Sequence, residues 1–83
     1  MLDEKNCRFI TGKGIIELTR KETQVLGILI QNKDKVVRHE YLEEVLYGID
    51  GAKGGISARI GALRKKLKGV LEIKTKIGLG YYI

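Results

Sequence analysis

Arg59, Arg64, Lys65, Lys66 and Lys68 crowd into ten residues, and Lys74 and Lys76 follow close behind. From Lys53 to Ile83 there are eight basic side chains and a single acidic one, Glu72, a balance of +7. Residues 1–52 hold eight basic against nine acidic groups, a balance of −1, so the net charge of +6 sits on the last third of the chain. Guanidinium and ammonium groups segregated in this way bind polyanions: nucleic acid first, an anionic membrane second. Lysines kept only for solubility need not segregate.

Other chemistries lack their parts. His39 is the only histidine and Cys7 the only cysteine, so no Cys/His metal site and no internal disulfide can be assembled. Cys7 reads as a small buried residue, because only Arg8 stands by to activate its thiol. Gly51-Ala52-Lys53-Gly54 has no Lys-Ser/Thr pair and no buried strand before it, which excludes a P-loop. Gly78-Leu79-Gly80 has neither the third glycine nor the following helix of a dinucleotide fold. Glu43-Glu44 reads as an exposed acidic pair. The expectation is a protein without catalytic residues, metal or cofactor. No apolar run approaches the ~20 residues of a membrane span, and no secretory block opens the chain, so a reduced, cytoplasmic protein is expected.

The elements that must position the cations follow from pattern. The chain has 83 residues and 9.3 kDa, 43% hydrophobic and 31% charged, which suits one small globular domain over residues 1–83. Residues 7–18 place apolar runs on either side of Gly12-Lys13-Gly14, a hairpin whose glycines supply positive φ. Thr19-Arg20-Lys21-Glu22 has the form of a capping box. It opens a helix over 19–31 with Glu22, Val25, Leu26, Leu29 and Ile30 on one face. Val36-Val37 reads as a connector. A second helix over 39–47 presents Tyr41, Leu42, Val45 and Leu46 inward. Four glycines between Gly48 and Gly55 mark a loop. Ile56, Ile60, Leu63 and Leu67 fall within about 60° of arc on a third helix over 56–68. Leu71, Ile73 and Thr75 alternate with Glu72, Lys74 and Lys76, and after the Gly78-Leu79-Gly80 turn Tyr81-Tyr82-Ile83 returns as a partner strand, giving a hairpin over 71–83. The fold expected is α+β: a winged helix-turn-helix with three helices, an N-terminal β-hairpin and a C-terminal β-hairpin wing.

In that arrangement the third helix is ~18 Å long and fits a major groove ~12 Å wide. Ala58, Gly61 and Ala62 would let its backbone approach base edges, flanked by Ser57, Arg59, Arg64, Lys65, Lys66 and Lys68. Lys74 and Lys76 would carry the wing onto a phosphate backbone or into a minor groove. The plainer readings are a solvated cationic helix face and an edge hairpin guarded by lysines.

Leu18-Thr19-Arg20-Lys21-Glu22, Val36-Val37…Tyr41-Leu42, Tyr47-Gly48, Leu63-Arg64-Lys65-Lys66-Leu67 and Thr75…Gly78-Leu79-Gly80-Tyr81 stand in the order and spacing of a known family. Over residues 7–83 the chain resembles the OmpR/PhoB-type winged-helix domain, the DNA-binding output domain of bacterial two-component response regulators. The resemblance implies that the third helix is the recognition helix, with Ser57 and Ala58 facing bases and Arg64 on a phosphate. It implies backbone contacts from Gly55, in a place usually held by Thr, and from Tyr47, in place of a Trp. Thr75 and Tyr81 match wing residues that hold the backbone. The chain departs from the pattern at Gly61 and Ala62, where basic residues are frequent, and at Ile77, which replaces a minor-groove arginine. Arg38 stands where a Ser commonly caps the second helix; it cannot cap but could reach a phosphate. The family's N-terminal sheet of about four strands has room for about two.

The resemblance further implies double-stranded DNA as partner, a homodimer on direct repeats, an upstream receiver domain in a full-length regulator, and no membrane. The competing reading is a winged-helix protein-interaction module that binds RNA polymerase or another regulator with weak DNA affinity of its own. RNA binding would need a stacking platform that five aromatic residues do not supply.

Overall fold

The computed structural model describes residues 1–48 and 55–83. The elements are β1 (Leu2–Asp3), β2 (Arg8–Thr11), β3 (Gly14–Glu17), α1 (Arg20–Gln31), β4 (Val37–Arg38), α2 (His39–Tyr47), α3 (Gly55–Lys66), β5 (Lys74–Lys76) and β6 (Gly80–Tyr82). They form three helices and two antiparallel sheets, ordered β1-β2-β3 and β4-β6-β5. The winged-helix arrangement expected from the pattern is present. The glycine-rich loop expected between α2 and α3 falls at 49–54, outside the described residues.

Thr19 starts α1 as the pattern requires. Its Oγ1 accepts from the Glu22 N–H at 3.1 Å, and Glu22 Oε1 accepts from the Thr19 N–H at 2.8 Å. Two of the helix's orphan donors are satisfied reciprocally. Val25, Leu26 and Leu29 are fully buried, whereas Ile30 lies at the edge of the core, 37% exposed. The stripe holds: Ile56, Ile60 and Leu63 of α3 and Leu67 just past its end are all buried in one core cluster with side chains of α1 and α2, Ile73, and Tyr81 of β6.

Several expectations need correction. The N-terminal hairpin is a three-stranded sheet, because Leu2 and Asp3 pair with Phe9 and Arg8; two residues are too few to show an alternating pattern. In its turn only Gly14 takes a positive φ. On α2, Leu42 and Leu46 are buried, but Tyr41 and Val45 are exposed. They lie ~100° around the helix from the leucines, and a helix of nine residues packed by a narrow stripe leaves them outside. The wing strand starts at Lys74, not Leu71. The Leu71 N–H is taken by the Leu67 carbonyl at 3.0 Å, and the Ile73 carbonyl accepts from Arg64 Nε at 2.9 Å, so neither group is free for a ladder.

Val37, read as part of a connector, forms β4 together with Arg38, and the two pair with Tyr81 and Gly80 of β6. Through β4 the wing is bonded to the start of α2. The α2 N-cap is Arg38, with no side-chain cap bond; the His39 N–H donates instead to the Leu79 carbonyl at 3.1 Å.

One ion pair joins three elements. Lys66 Nζ, at the end of α3, donates to Glu22 Oε1 at 2.7 Å and to the Glu17 carbonyl at 3.1 Å. Glu22 is 3% exposed. Burial pushes its carboxyl up, but the Lys66 hydrogen bond, the Thr19 N–H and the Lys66 charge together outweigh burial and hold it below its ordinary value. A carboxyl lowered on folding adds stability that is complete above its unfolded pKa and lost as pH falls through the folded one. Melting temperature is therefore expected to drop as pH is taken below the ordinary glutamate value, with a shallower drop in Glu22→Gln. Parallel curves for the two proteins would contradict the assignment.

Candidate nucleic-acid interface

Burying one stripe of α3 turns the remaining arc outward. Ser57, Ala58, Arg64 and Lys65 are exposed, while Arg59, Gly61 and Ala62 are half-buried. Lys68 is exposed just past the helix end, which Gly69 closes at φ +81°. Arg64, Lys65 and Lys66 share the last turn, where cations meet the negative end of the helix dipole. A Cβ at Gly61 would meet open space, so no internal packing requires glycine there. The position costs about 1 kcal/mol of helix stability relative to alanine and leaves the backbone bare on the outward side.

Lys66 does not join this surface. Placed by the pattern on the basic flank of the helix, it is bound inward to Glu22 and Glu17. Arg64 has two attachments to the wing: Nε donates to the Ile73 carbonyl at 2.9 Å, and Nη2 donates to Thr75 Oγ1 at 2.6 Å. Its guanidinium also stands 5.8 Å from the centre of the Tyr81 ring. Tyr81 is mostly core, 9% exposed, with its ring tilted against His39 and its Oη 3.5 Å from Ser57 Oγ. Two contacts, Arg64 with Thr75 and Ser57 with Tyr81, thus join α3 to the β5–β6 hairpin at separate points along the helix.

Lys74, Thr75 and Lys76 are exposed on β5, with Lys74 Nζ 5.8 Å from the Tyr82 ring centre. Arg38 is exposed on β4. The helix outer arc, β5 and Arg38 belong to elements bonded to one another through β6. Tyr47 stands at the opposite end of α2 from Arg38, against the start of α3. A Cβ on Gly55 would come within 2.6 Å of the Tyr47 hydroxyl. The departures at 47 and 55 are therefore a single packing adjustment, in which the tyrosine fills the space a larger residue at 55 would take. Lys21 Nζ sits 4.7 Å over the Tyr47 ring and donates to the Leu46 carbonyl at 2.9 Å. The Tyr47 Oη is buried and has no hydrogen-bond partner among the described residues.

His39 is 3.3 Å from Glu43 on α2, and Cys7 makes one long contact, Sγ to the Glu4 carbonyl at 3.8 Å. Among the described residues no cluster of His, Cys, Asp and Glu could hold a metal ion, and no helix is long and apolar enough to cross a membrane.

A winged helix whose third helix and wing are bonded into one cationic face has the architecture of a class of DNA-binding domain. Residues 12–83 match the family described as "Transcriptional regulatory protein, C terminal". The chain belongs to this family, the OmpR/PhoB-type DNA-binding output domain of response regulators that control transcription. It is 38% identical over 68 residues to the regulatory protein VanRB of Enterococcus faecalis, covering 80% of this chain and 30% of that one. It is 35% identical over 74 residues to the sensory transduction protein BceR of Bacillus subtilis, covering 83% and 32%. The chain thus spans about a third of the length of the curated relatives it matches. Among solved structures, the DNA-binding domain of CssR from Bacillus subtilis superposes with a TM-score of 0.86 at 26% identity, covering 99% of this chain and 96% of that one.

Proposed function

We propose that this domain binds duplex DNA with α3 in the major groove and the β5–β6 hairpin on the neighbouring backbone and minor groove. The observation that carries the reading is the pair of attachments between α3 and the wing, Arg64 to Thr75 and Ser57 to Tyr81. They join two exposed cationic elements into one preformed surface, so little ordering cost falls on the moment of binding. Ser57, Ala58, Gly61 and Ala62 approach base edges; Arg64, Lys65, Lys68, Lys74, Thr75, Lys76 and Arg38 meet phosphates. Arg59, Gly55, Tyr47 and Tyr81 act from behind this surface. In the full-length regulator a receiver domain precedes the domain, two copies sit on direct repeats, and the protein works in the cytoplasm without a catalytic role of its own.

Neutralising ~4–6 phosphates gives a log–log salt slope of roughly −4 to −5. Affinity for random duplex changing less than tenfold between about 50 and 200 mM salt would contradict the phosphate contacts. Arg64→Ala is expected to weaken binding on every sequence with the fold retained. Because Arg64 also holds the wing, Arg64→Lys should recover the salt slope but not the full affinity.

A second reading draws on α2. Tyr41 and Val45 stand one turn apart, 52% and 42% exposed, beside Glu40 and Glu44. This face lies on a different helix from the basic arc and suits a protein partner such as RNA polymerase. A partner retained after Arg64 and Lys65 are both changed to Glu would establish that face as a separate function.

A further inference from the structure

The one histidine of the chain lines a cleft between the start of α2 and the turn of the wing. The His39 N–H donates to the Leu79 carbonyl at 3.1 Å, which ties the first residue of α2 to that turn. Its side chain is half-buried, the ring tilted against Tyr81 with 6.4 Å between ring centres. Tyr81 also carries the Arg64 guanidinium over its ring and reaches Ser57 with its hydroxyl. A single aromatic ring thus connects His39 to the outward side of α3. The cleft holds about 290 Å³ and is lined by His39, Glu40, Thr75, Lys76, Tyr81 and the turn residues 78–80.

The groups around the imidazole set what a proton does there. Glu40 and Glu43 come from α2, Arg38 from β4, Lys76 from β5 and the Tyr81 phenol from β6. Two carboxylates balance two cations, so this corner has no excess charge while the imidazole is neutral. Nδ1 stands 3.3 Å from Glu43 Oε1. The carboxylate keeps a proton on that nitrogen, which leaves Nε2 of the neutral ring a bare acceptor. A bare acceptor repels phosphate oxygens. A second proton makes Nε2 a donor and the corner cationic. Thr75 Oγ1 accepts from Arg64 and keeps its own O–H to donate, and Lys76 is exposed beside it. Three donors then converge on one anion.

Resting on the DNA-binding reading above, we propose that His39 is a phosphate-contact residue that works only when protonated. The imidazolium, Lys76 and Thr75 hold one backbone phosphate of the duplex in the cleft between α2 and the wing, so the domain grips DNA more tightly in acid. Histidine is the side-chain type that changes charge between about pH 5 and 8, which puts the switch within the range a cell meets.

The test uses the 83-residue chain and a random-sequence duplex in phosphate-free buffer. Because the histidine is alone, its carbon-bound ring protons report one group by NMR. Affinity from fluorescence anisotropy is expected to rise about tenfold between about pH 8 and 5.5, the effect of one charge-assisted hydrogen bond. The log–log salt slope should steepen by about 0.9 over the same range, one further phosphate neutralised. Linkage then requires the midpoint of the ring-proton titration to move up by about one pH unit when duplex is added. In His39→Gln the pH dependence of affinity should shrink to under about twofold. Parallel affinity curves for His39→Gln and the wild type overturn the role of His39 and leave the DNA-binding reading standing. So does a wild-type ring-proton midpoint that duplex leaves unmoved or lowers while salt-sensitive binding persists, a result that needs no variant to fold. No duplex binding at any pH overturns both readings.

Discussion

Gly80→Ala is expected to remove a large share of the domain's stability. Gly80 is buried in β6 and pairs with Arg38 of β4 on one side and Lys76 of β5 on the other. A Cβ at this position would overlap the Val37 carbonyl oxygen and stand 2.8 Å from the Val37 carbonyl carbon and 3.0 Å from the Arg38 Cα. All three are backbone atoms, which cannot rotate aside. The methyl can be placed only by parting β4 from β6, which uncovers Val37 and Tyr81, both core members. Overpacking alone costs ~1–3 kcal/mol, and the lost strand pairing and burial bring the total to about 3–5 kcal/mol. Against roughly 4–12 kcal/mol for a domain this size, that is a large share. Gly61→Ala is the matched control: its Cβ meets open space and should raise stability by ~0.5–1 kcal/mol. Thermal melts followed by circular dichroism decide the matter, and a Gly80→Ala midpoint within a few degrees of the wild type would contradict the close approach.

The second large effect is Leu63→Ala. Leu63 is fully buried in the α3 stripe, between Ile60 and Leu67. Removing its side chain forfeits transfer energy and leaves a cavity, together worth ~2–5 kcal/mol. At ~4–8 °C per kcal/mol, the midpoint should fall by roughly 10–30 °C. DNA binding should weaken only in proportion to the unfolded fraction, returning toward the wild-type value on cooling. Arg64→Ala should behave oppositely, losing affinity at every temperature. Equal melting temperatures for Leu63→Ala and the wild type would refute the core stripe.

Where pattern and structure agree, the signal is local. The capping box from Thr19 to Glu22 spans four residues, and the α3 stripe repeats at helical spacing, so both can be read from neighbours along the chain. The cationic arc follows, because whatever faces away from Ile56, Ile60 and Leu63 must face out. What escaped was decided across long separations. Lys66 looks like any other flanking cation until α1 brings Glu22 within 2.7 Å. Thr75 carries no mark of being an Arg64 acceptor, and Val37 none of pairing with Tyr81. Tyr41 and Val45 read as inward from the sequence because a short amphipathic helix does not reveal how wide a face its neighbours will cover. Pattern supplies the order of elements and the family resemblance a set of positions; the attachments that hold the wing depend on where the fold brings these particular side chains.

The β4–β6 pairing also bears on the order in which the chain can acquire its shape during synthesis. Val37 and Arg38 are translated well before Gly80 and Tyr81, their partners in the sheet. At ~5–20 residues per second, β4 emerges several seconds ahead of the strand that will hold it. Until then the His39 N–H lacks the Leu79 carbonyl, the Asp34 N–H lacks the Ile83 carbonyl it donates to at 2.9 Å, and α2 has no side-chain cap to start it. The nascent chain can form α1 on its capping box, but the helix-turn-helix closes only when residues 79–83 have left the ribosome. A half-made domain therefore cannot present the joined cationic surface of α3 and the wing, which arrives in one late step.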